Sequence, residues 1–294
     1  MKIATIPVVL NGASGPGHAR ADAERLQASF RQAGLEARVL TDADLAQAAR
    51  RAMRDRPPVL VAGGGDGTLN AVANVVRGTG TALGVLPLGT LNHFAKDLGL
   101  PLELDAAVRV ISAGRRAEVD VGEVNGRTFL NNASLGIYPD IVRERTRQQR
   151  RFGRSKMSAL LWATLAAMNR APLLSLRLEL DQRPHECRAP FVFIGNNDYV
   201  MEGFNIGSRT RLDAGHLSVY TTQHCHRGGL LALAVRALFG RLRQAEDFTA
   251  LQARTLRVET RHKRLLVATD GEVSIMETPL EFRVLPRALQ VIVP

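Results

Sequence analysis

Four glycines crowd around one carboxylate in Val59-Leu60-Val61-Ala62-Gly63-Gly64-Gly65-Asp66-Gly67-Thr68-Leu69-Asn70. An apolar run leads into them and a helix-forming run leads out. Glycine lets a backbone approach a phosphate closely and adopt positive φ. A helix start offers unpaired N–H groups and partial positive charge to an anion. Asp66 sits where it could orient magnesium or a hydroxyl network. A plain tight turn from strand to helix remains the alternative reading of these residues alone. No Gly-Lys-Ser/Thr follows, so this is not the common P-loop, and the glycine spacing is wrong for a dinucleotide fingerprint. A second turn of the same kind is Pro87-Leu88-Gly89-Thr90-Leu91-Asn92, again between a strand-like and a helix-like run. A third is Asn11-Gly12-Ala13-Ser14-Gly15-Pro16-Gly17. Far along the chain, Asp270 follows the apolar run 265–268 and precedes Gly271. A hydroxyl attacking phosphorus needs a carboxylate to take its proton. Asp270 is the candidate, although an Asp-Gly pair is also a frequent hairpin turn.

The elements that must hold these turns follow from the pattern. Strand-like runs at 3–10, 36–40, 58–62 and 82–86 alternate with helix-like ones. The first helix shows Ala23, Leu26, Phe30 and Ala33 at helical spacing. A second is capped by Thr41 or Asp42 and runs to about Arg54. Others cover 68–77 and 92–98. Such alternation predicts a parallel sheet with helices on both faces and ligands at the carboxyl edge. Beyond about Val119, strands dominate: 119–124, 128–133, 174–180, 191–194, 217–221, 255–260, 265–269, 280–284 and 289–293. Two helical insertions, 154–169 and 227–244, interrupt them. The expected fold class is an α/β domain followed by an antiparallel β-sandwich. The expected domains are 1–120, binding nucleotide, and 121–294, receiving the acceptor, with room for the last strand to return to the first domain.

Composition narrows the setting. The chain has 294 residues, 45% of them hydrophobic and 23% charged, as in ordinary globular proteins. Its cysteines, Cys187 and Cys225, are far apart, and Met1–Ile6 reads directly as a strand. A reducing, cytoplasmic setting without a signal peptide is the expectation. The net charge of +11 favours anionic partners. Seven basic residues between Arg143 and Lys156 face one acid, Glu144. With the amphipathic run 227–244, they suggest peripheral contact with an anionic membrane; a solvated face is the plainer alternative. Aromatic residues make up 5% of the chain, too few for stacking on single strands, so nucleic acid is not an expected partner. His224-Cys225-His226 offers too few ligands for zinc, and Trp162 reads as a core residue.

The Gly63–Asn70 and Pro87–Asn92 turns together resemble the catalytic domain shared by diacylglycerol kinases, sphingosine kinases and their bacterial relatives. Asn11–Gly15 is similar to that family's Asn-Pro-x-Ser-Gly turn, with Gly12 in place of proline. Phe129–Gly136, Arg211–Leu217 and Asp270-Gly271-Glu272 resemble motifs of its β-rich half. The resemblance implies an ATP- and Mg2+-dependent kinase acting on the hydroxyl of a lipid such as diacylglycerol. By position it implies nucleotide contacts at Asn11, Ser14, Thr41, Gly64, Gly65, Asp66, Gly67, Thr68, Thr90 and Asn92. It implies Asp270 as catalytic carboxylate and Glu272 beside the phosphates or a metal-bound water. For metal it implies Asp66 and a structural site at Asp213 with the carbonyl region of Leu217. Two positions depart from the pattern. His93 stands where many members carry Asp, and Ala214 follows Asp213 where many read Gly. An NAD kinase-like enzyme and an inactive lipid- or nucleotide-binding relative are the alternatives. A homodimer is left open.

Overall fold

The computed structural model describes residues 5–11, 16–136, 174–202, 205–222 and 248–294. Ser14, the basic run 143–156, both helical insertions, Trp162 and His224-Cys225-His226 lie outside the described residues. The chain forms two compact units, Met1–Val121 with Pro286–Pro294, and Gly122–Leu285.

In the first unit the alternation takes the form β1 (Thr5–Asn11), α1 (Pro16–Gln32), β2 (Glu36–Asp42), α2 (Leu45–Ala52), β3 (Val59–Gly64), α3 (Asp66–Val76), β4 (Ala82–Pro87), α4 (His93–Asp97) and α5 (Leu104–Ala113). The sheet order is β2-β1-β3-β4, all parallel. At the β4 edge, Val291 of the strand Leu280–Ile292 pairs with Leu83, also in parallel. Every residue of β4 is buried, the pattern of a strand covered on both faces. Val8, Val61 and Leu86 of the sheet pack with Leu26 and Phe30 of α1 and with Val108 and Ile111 of α5.

The start of α2 differs from the expectation. Asp44, not Asp42 or Thr41, is the cap, accepting from the Gln47 N–H at 2.9 Å. Asp42 is still in β2, and its own carboxylate accepts from the Asp44 N–H at 3.0 Å. A capping aspartate stabilises a helix by about 1 kcal/mol. The expected elements also lack α5, whose Glu103 cap accepts from the N–H groups of Asp105 and Ala106.

The second unit is a sandwich of two antiparallel sheets. One runs in the order Phe248–Ala253, Leu217–Thr222, Phe191–Asn196, Asn132–Gly136, Arg264–Thr269, Glu272–Glu277. The other sets Leu280–Ile292, through its residues 280–283, beside Thr255–Glu259, Leu174–Leu180 and Arg183–Ala189. Leu174–Leu180 alternates buried and open positions, as a strand with one core face must. Leu176, Leu178, Val258 and Phe282 meet Leu135, Val192, Ile194, Val219 and Val267 of the facing sheet in one core. The expected strand 128–133 is broken: Arg127–Phe129 ends, Leu130 and Asn131 leave the ladder, and Asn132–Gly136 resumes. Among the described residues no helix is long and apolar enough to cross a membrane.

Candidate functional site

The parallel register brings the first unit's candidates to one edge. Leu10 pairs with Thr41 on one side and Gly63 on the other, and Gly64 pairs with Pro87. Asn11, Thr41, Gly64 and the turn after Pro87 therefore share the carboxyl edge of the sheet.

Here the glycines are required by close contact. A Cβ on Gly64 would lie 2.4 Å from the Thr68 Oγ1. A Cβ on Gly89 would lie 2.4 Å from the Cα of Gly65 and 2.8 Å from the Asn92 Oδ1. The two glycine turns thus touch backbone to backbone. Gly65 precedes α3 and brings no side chain to its first amides, which suits that helix end to an anion. Asn92 clasps its own loop. Its Oδ1 accepts from the Gly89 N–H at 3.0 Å, and its Nδ2 donates to the Gly89 and Pro87 carbonyls at 2.9 and 3.2 Å. With its side chain turned back, Asn92 takes φ 51° and does not cap α4. Asp66 takes that role from the neighbouring turn, accepting from the His93 and Phe94 N–H groups at 3.2 and 3.1 Å. His93 contributes through its backbone, so the residue type there leaves the cap intact. Thr90 is exposed on the loop, and Thr68 is buried in the first turn of α3.

The second unit holds Asp270 in the hairpin between Arg264–Thr269 and Glu272–Glu277, where Thr269 faces Glu272. Asp270 and Gly271 have φ 48° and 82°. Two positive φ values make the two-residue turn for which Asp-Gly is favoured. The hairpin and site readings therefore coincide at one residue. The Asp270 carboxylate accepts three consecutive N–H groups, Leu130 at 2.8 Å, Asn131 at 2.8 Å and Asn132 at 3.1 Å. Its own N–H donates to the Asn132 carbonyl at 2.9 Å. Amides at 130 and 131 that point at a carboxylate cannot also serve a ladder, which explains the break in the expected strand. Burial pushes the carboxyl up to about 6, while the three amides and the charge of Arg209 pull the other way. Some of Asp270 remains open to solvent even though its oxygens face the amides. Oδ2 takes one of the three bonds and keeps lone-pair capacity for a proton.

Of the remaining candidates of this unit, Glu272 opens the second strand of the same hairpin, while Asp213 and Leu217 belong to another segment. Glu272 is exposed and paired with Arg127 at 2.9 Å. Asp213 is paired with Arg211 at 3.1 Å, and the next N–H, of Ala214, donates to the Asn197 Oδ1. Leu217 begins a buried strand. Among the described residues no three His, Cys, Asp or Glu side chains cluster as metal ligands. Arg209 and Asn196, both buried against the 130–131 segment, had no pattern in the sequence to mark them.

A family model described as the diacylglycerol kinase catalytic domain matches residues 5–124. One described as the YegS C-terminal NAD kinase beta sandwich-like domain matches residues 135–293. A curated relative from Pseudomonas aeruginosa, named probable lipid kinase YegS-like, is 45% identical over 115 residues, 37% of this chain and 38% of that one. Another of that name, from Klebsiella pneumoniae, is 46% identical over 88 residues, 29% of this chain and 30% of that one. The chain thus spans well under two thirds of these two relatives. A diacylglycerol kinase of Staphylococcus aureus is 28% identical over 244 residues, 78% of this chain and 75% of that one. The crystal structure of a diacylglycerol kinase from Bacillus anthracis superposes with TM-score 0.70 at 20% identity, covering 100% of this chain and 98% of that one. At that identity the likeness concerns the fold.

Proposed function

We propose, because this chain belongs to the family that joins a diacylglycerol kinase catalytic domain to a YegS-type C-terminal domain, that it transfers the terminal phosphate of ATP to the hydroxyl of a lipid such as diacylglycerol. The first unit is the nucleotide-binding one and the second receives the acceptor. Phosphate transfer mostly needs positioning and charge neutralisation. The Gly63–Thr68 and Gly89–Asn92 turns supply backbone N–H groups at the edge that Asn11 and Thr41 share, with Thr90 on the second turn; by family position Ser14 and Glu272 add nucleotide contacts. Magnesium bound with the triphosphate would offset its charge. Asp66 fits it, being a hard oxygen donor held still by two amides. A second magnesium would rest on Asp213 and the Leu217 carbonyl.

Asp270 accepts the hydroxyl proton as the new oxygen–phosphorus bond forms. The observation that carries the proposal is this carboxylate, cradled by three amides yet raised to about 6. A base poised near working pH transfers protons most effectively. Labelled ATP incubated with a panel of diacylglycerol, sphingoid base, phosphatidylglycerol, polyprenol and NAD, with and without Mg2+, tests the reading. Label in at least one lipid, only with Mg2+, is expected. Label in NAD alone would assign the NAD kinase-like activity, and none anywhere would make the chain an inactive relative.

Two further outcomes are expected. Asp66→Ala removes the cap of α4, lowers stability by about 1 kcal/mol in thermal melts and weakens Mg-ATP binding in calorimetry. Unchanged ATP affinity would remove Asp66 from the nucleotide site. The charge of +11 supports peripheral contact with anionic lipid. Phosphatidylglycerol vesicles should sediment the protein and 0.5 M salt, where screening is short-ranged, about 4 Å, should release it. Equal sedimentation with phosphatidylcholine would contradict this.

A further inference from the structure

Two consecutive peptide groups in the second unit are gripped from both sides. The first is the Leu130 carbonyl with the Asn131 N–H. Its oxygen accepts from the Arg209 Nη1 at 2.7 Å and the Asn196 Nδ2 at 2.9 Å, while its N–H donates to the Asp270 Oδ1 at 2.8 Å. The second is the Asn131 carbonyl with the Asn132 N–H. Its oxygen accepts from the Asn196 N–H at 2.9 Å, and its N–H donates to the same Oδ1 at 3.1 Å. Arg209 also donates to the Asn196 carbonyl at 3.1 Å and, through Nη2, to the Asn131 Oδ1 at 2.8 Å. Its guanidinium lies over the Tyr199 ring at 5.4 Å, and the residue is 7% exposed.

A peptide group is planar, with its oxygen and hydrogen on opposite sides. A cation at the oxygen and a carboxylate at the hydrogen polarise it in the same sense, and hydrogen bonds in such a chain strengthen one another. We infer that Arg209 is a positioning residue for Asp270: it acts through the Leu130–Asn131 peptide to aim the amide cradle and to favour the ionised carboxylate. The inference rests on Asp270 as the base and adds the group that sets its orientation and proton affinity. Burial of a guanidinium is costly, and here it fixes the 130–131 break. Lysine cannot replace it fully, because one ammonium does not reproduce the planar fork that reaches three oxygens. Among the described residues, the exposed pair Glu272 and Arg127 also borders this hairpin, one on its second strand and one on Arg127–Phe129. They pair with each other, and among the described residues Arg209 acts on Asp270 from the buried side.

The test separates this inference from the reading beneath it. Protein labelled with 13C at the aspartate carboxyls is titrated by NMR, with Asp270 assigned as the signal lost in Asp270→Asn. Turnover of ATP with dioctanoylglycerol is measured over the same pH range. In Arg209→Gln the Asp270 midpoint should rise by about one unit, a tenfold change in proton affinity. The acid limb of the pH–rate profile should rise with it, so that activity falls more at pH 6 than at pH 8. Arg209→Lys, the variant more certain to fold, should give a smaller rise of the same sign. An unmoved midpoint in Arg209→Gln, or in Arg209→Lys if only that variant folds, overturns the inference. A midpoint that moves while the pH–rate limb stays fixed upholds Arg209 and removes Asp270 as the base.

Discussion

Asp270→Asn is expected to slow phosphate transfer about a hundredfold to ten-thousandfold, the range supplied by a positioned general base, in a protein that still folds and binds ATP. Asparagine keeps one oxygen for the amide cradle but turns an NH2 group toward a backbone donor. One N–H among Leu130, Asn131 and Asn132 loses its acceptor. That costs about 1–3 kcal/mol and shows as a lower melting temperature. Activity and stability thus fall for separate reasons, and ATP titration calorimetry on the folded variant distinguishes them. Near-normal turnover would remove Asp270 from the chemistry.

The wild-type pH dependence follows from the same residue. Turnover should climb as pH rises through about 6, where the carboxyl loses its proton, and then level off. Stability should move the other way. The folded value lies above the ordinary 3.8, so the native state keeps a proton that the unfolded chain has released. The associated stability is fully present below about pH 4 and is lost as pH climbs through about 6. In Asp270→Asn this component of the slope should vanish.

The second large effect is expected at Gly89. A methyl group there meets the Cα of Gly65 at 2.4 Å, and backbone cannot swing aside as a side-chain tip can. The two glycine turns must separate, and the hydrogen bonds of Asn92 and Asp66 that tie the loop must stretch. Gly89→Ala should lose about 1–3 kcal/mol of stability, as overpacking does, and bind ATP about tenfold to a hundredfold more weakly. Gly65→Ala is the control for packing. Its Cβ would sit 3.5 Å from the Gly89 Cα, an ordinary contact, and its φ of −88° suits any residue. It should melt within about 0.5 kcal/mol of wild type. A Gly89→Ala protein as stable as Gly65→Ala would show that the turns do not depend on this contact.

Patterns that repeat locally were legible in the sequence. Apolar runs ending in glycine marked β3 and β4, and period-two alternation marked Leu174–Leu180. Elements governed by distant partners were not. The break at Leu130 and Asn131 answers to a carboxylate 140 residues later. Arg183–Ala189 carries Pro184 and is exposed at residues 183–186, so it has no alternation to read. The helix α5 was hidden because Ala107, Val108 and Ile111 form a short apolar set between Pro101 and Gly114. The site divides in the same way. Glycine spacing pointed to the turns, and Asp-Gly pointed to Asp270. Nothing near Asn92 announced that its side chain would be committed to Pro87 and Gly89. Arg209 gained meaning only once the carbonyls it holds were seen.

The strand Leu280–Ile292 bears on how the polypeptide is made. Its final residues belong to the first unit: Val291 lies beside Leu83, the Gly78 N–H donates to the Ala288 carbonyl, and the Arg287 N–H donates to the Asp120 Oδ1. On the ribosome, β4 emerges early and then waits, its outer rim uncovered, until residues 122–285 have all been translated. During that interval a partly built sheet of apolar strands is exposed to neighbouring nascent chains. The time taken to translate the second half therefore sets how long that rim stays open, and a chaperone that shields β4 would act in this interval.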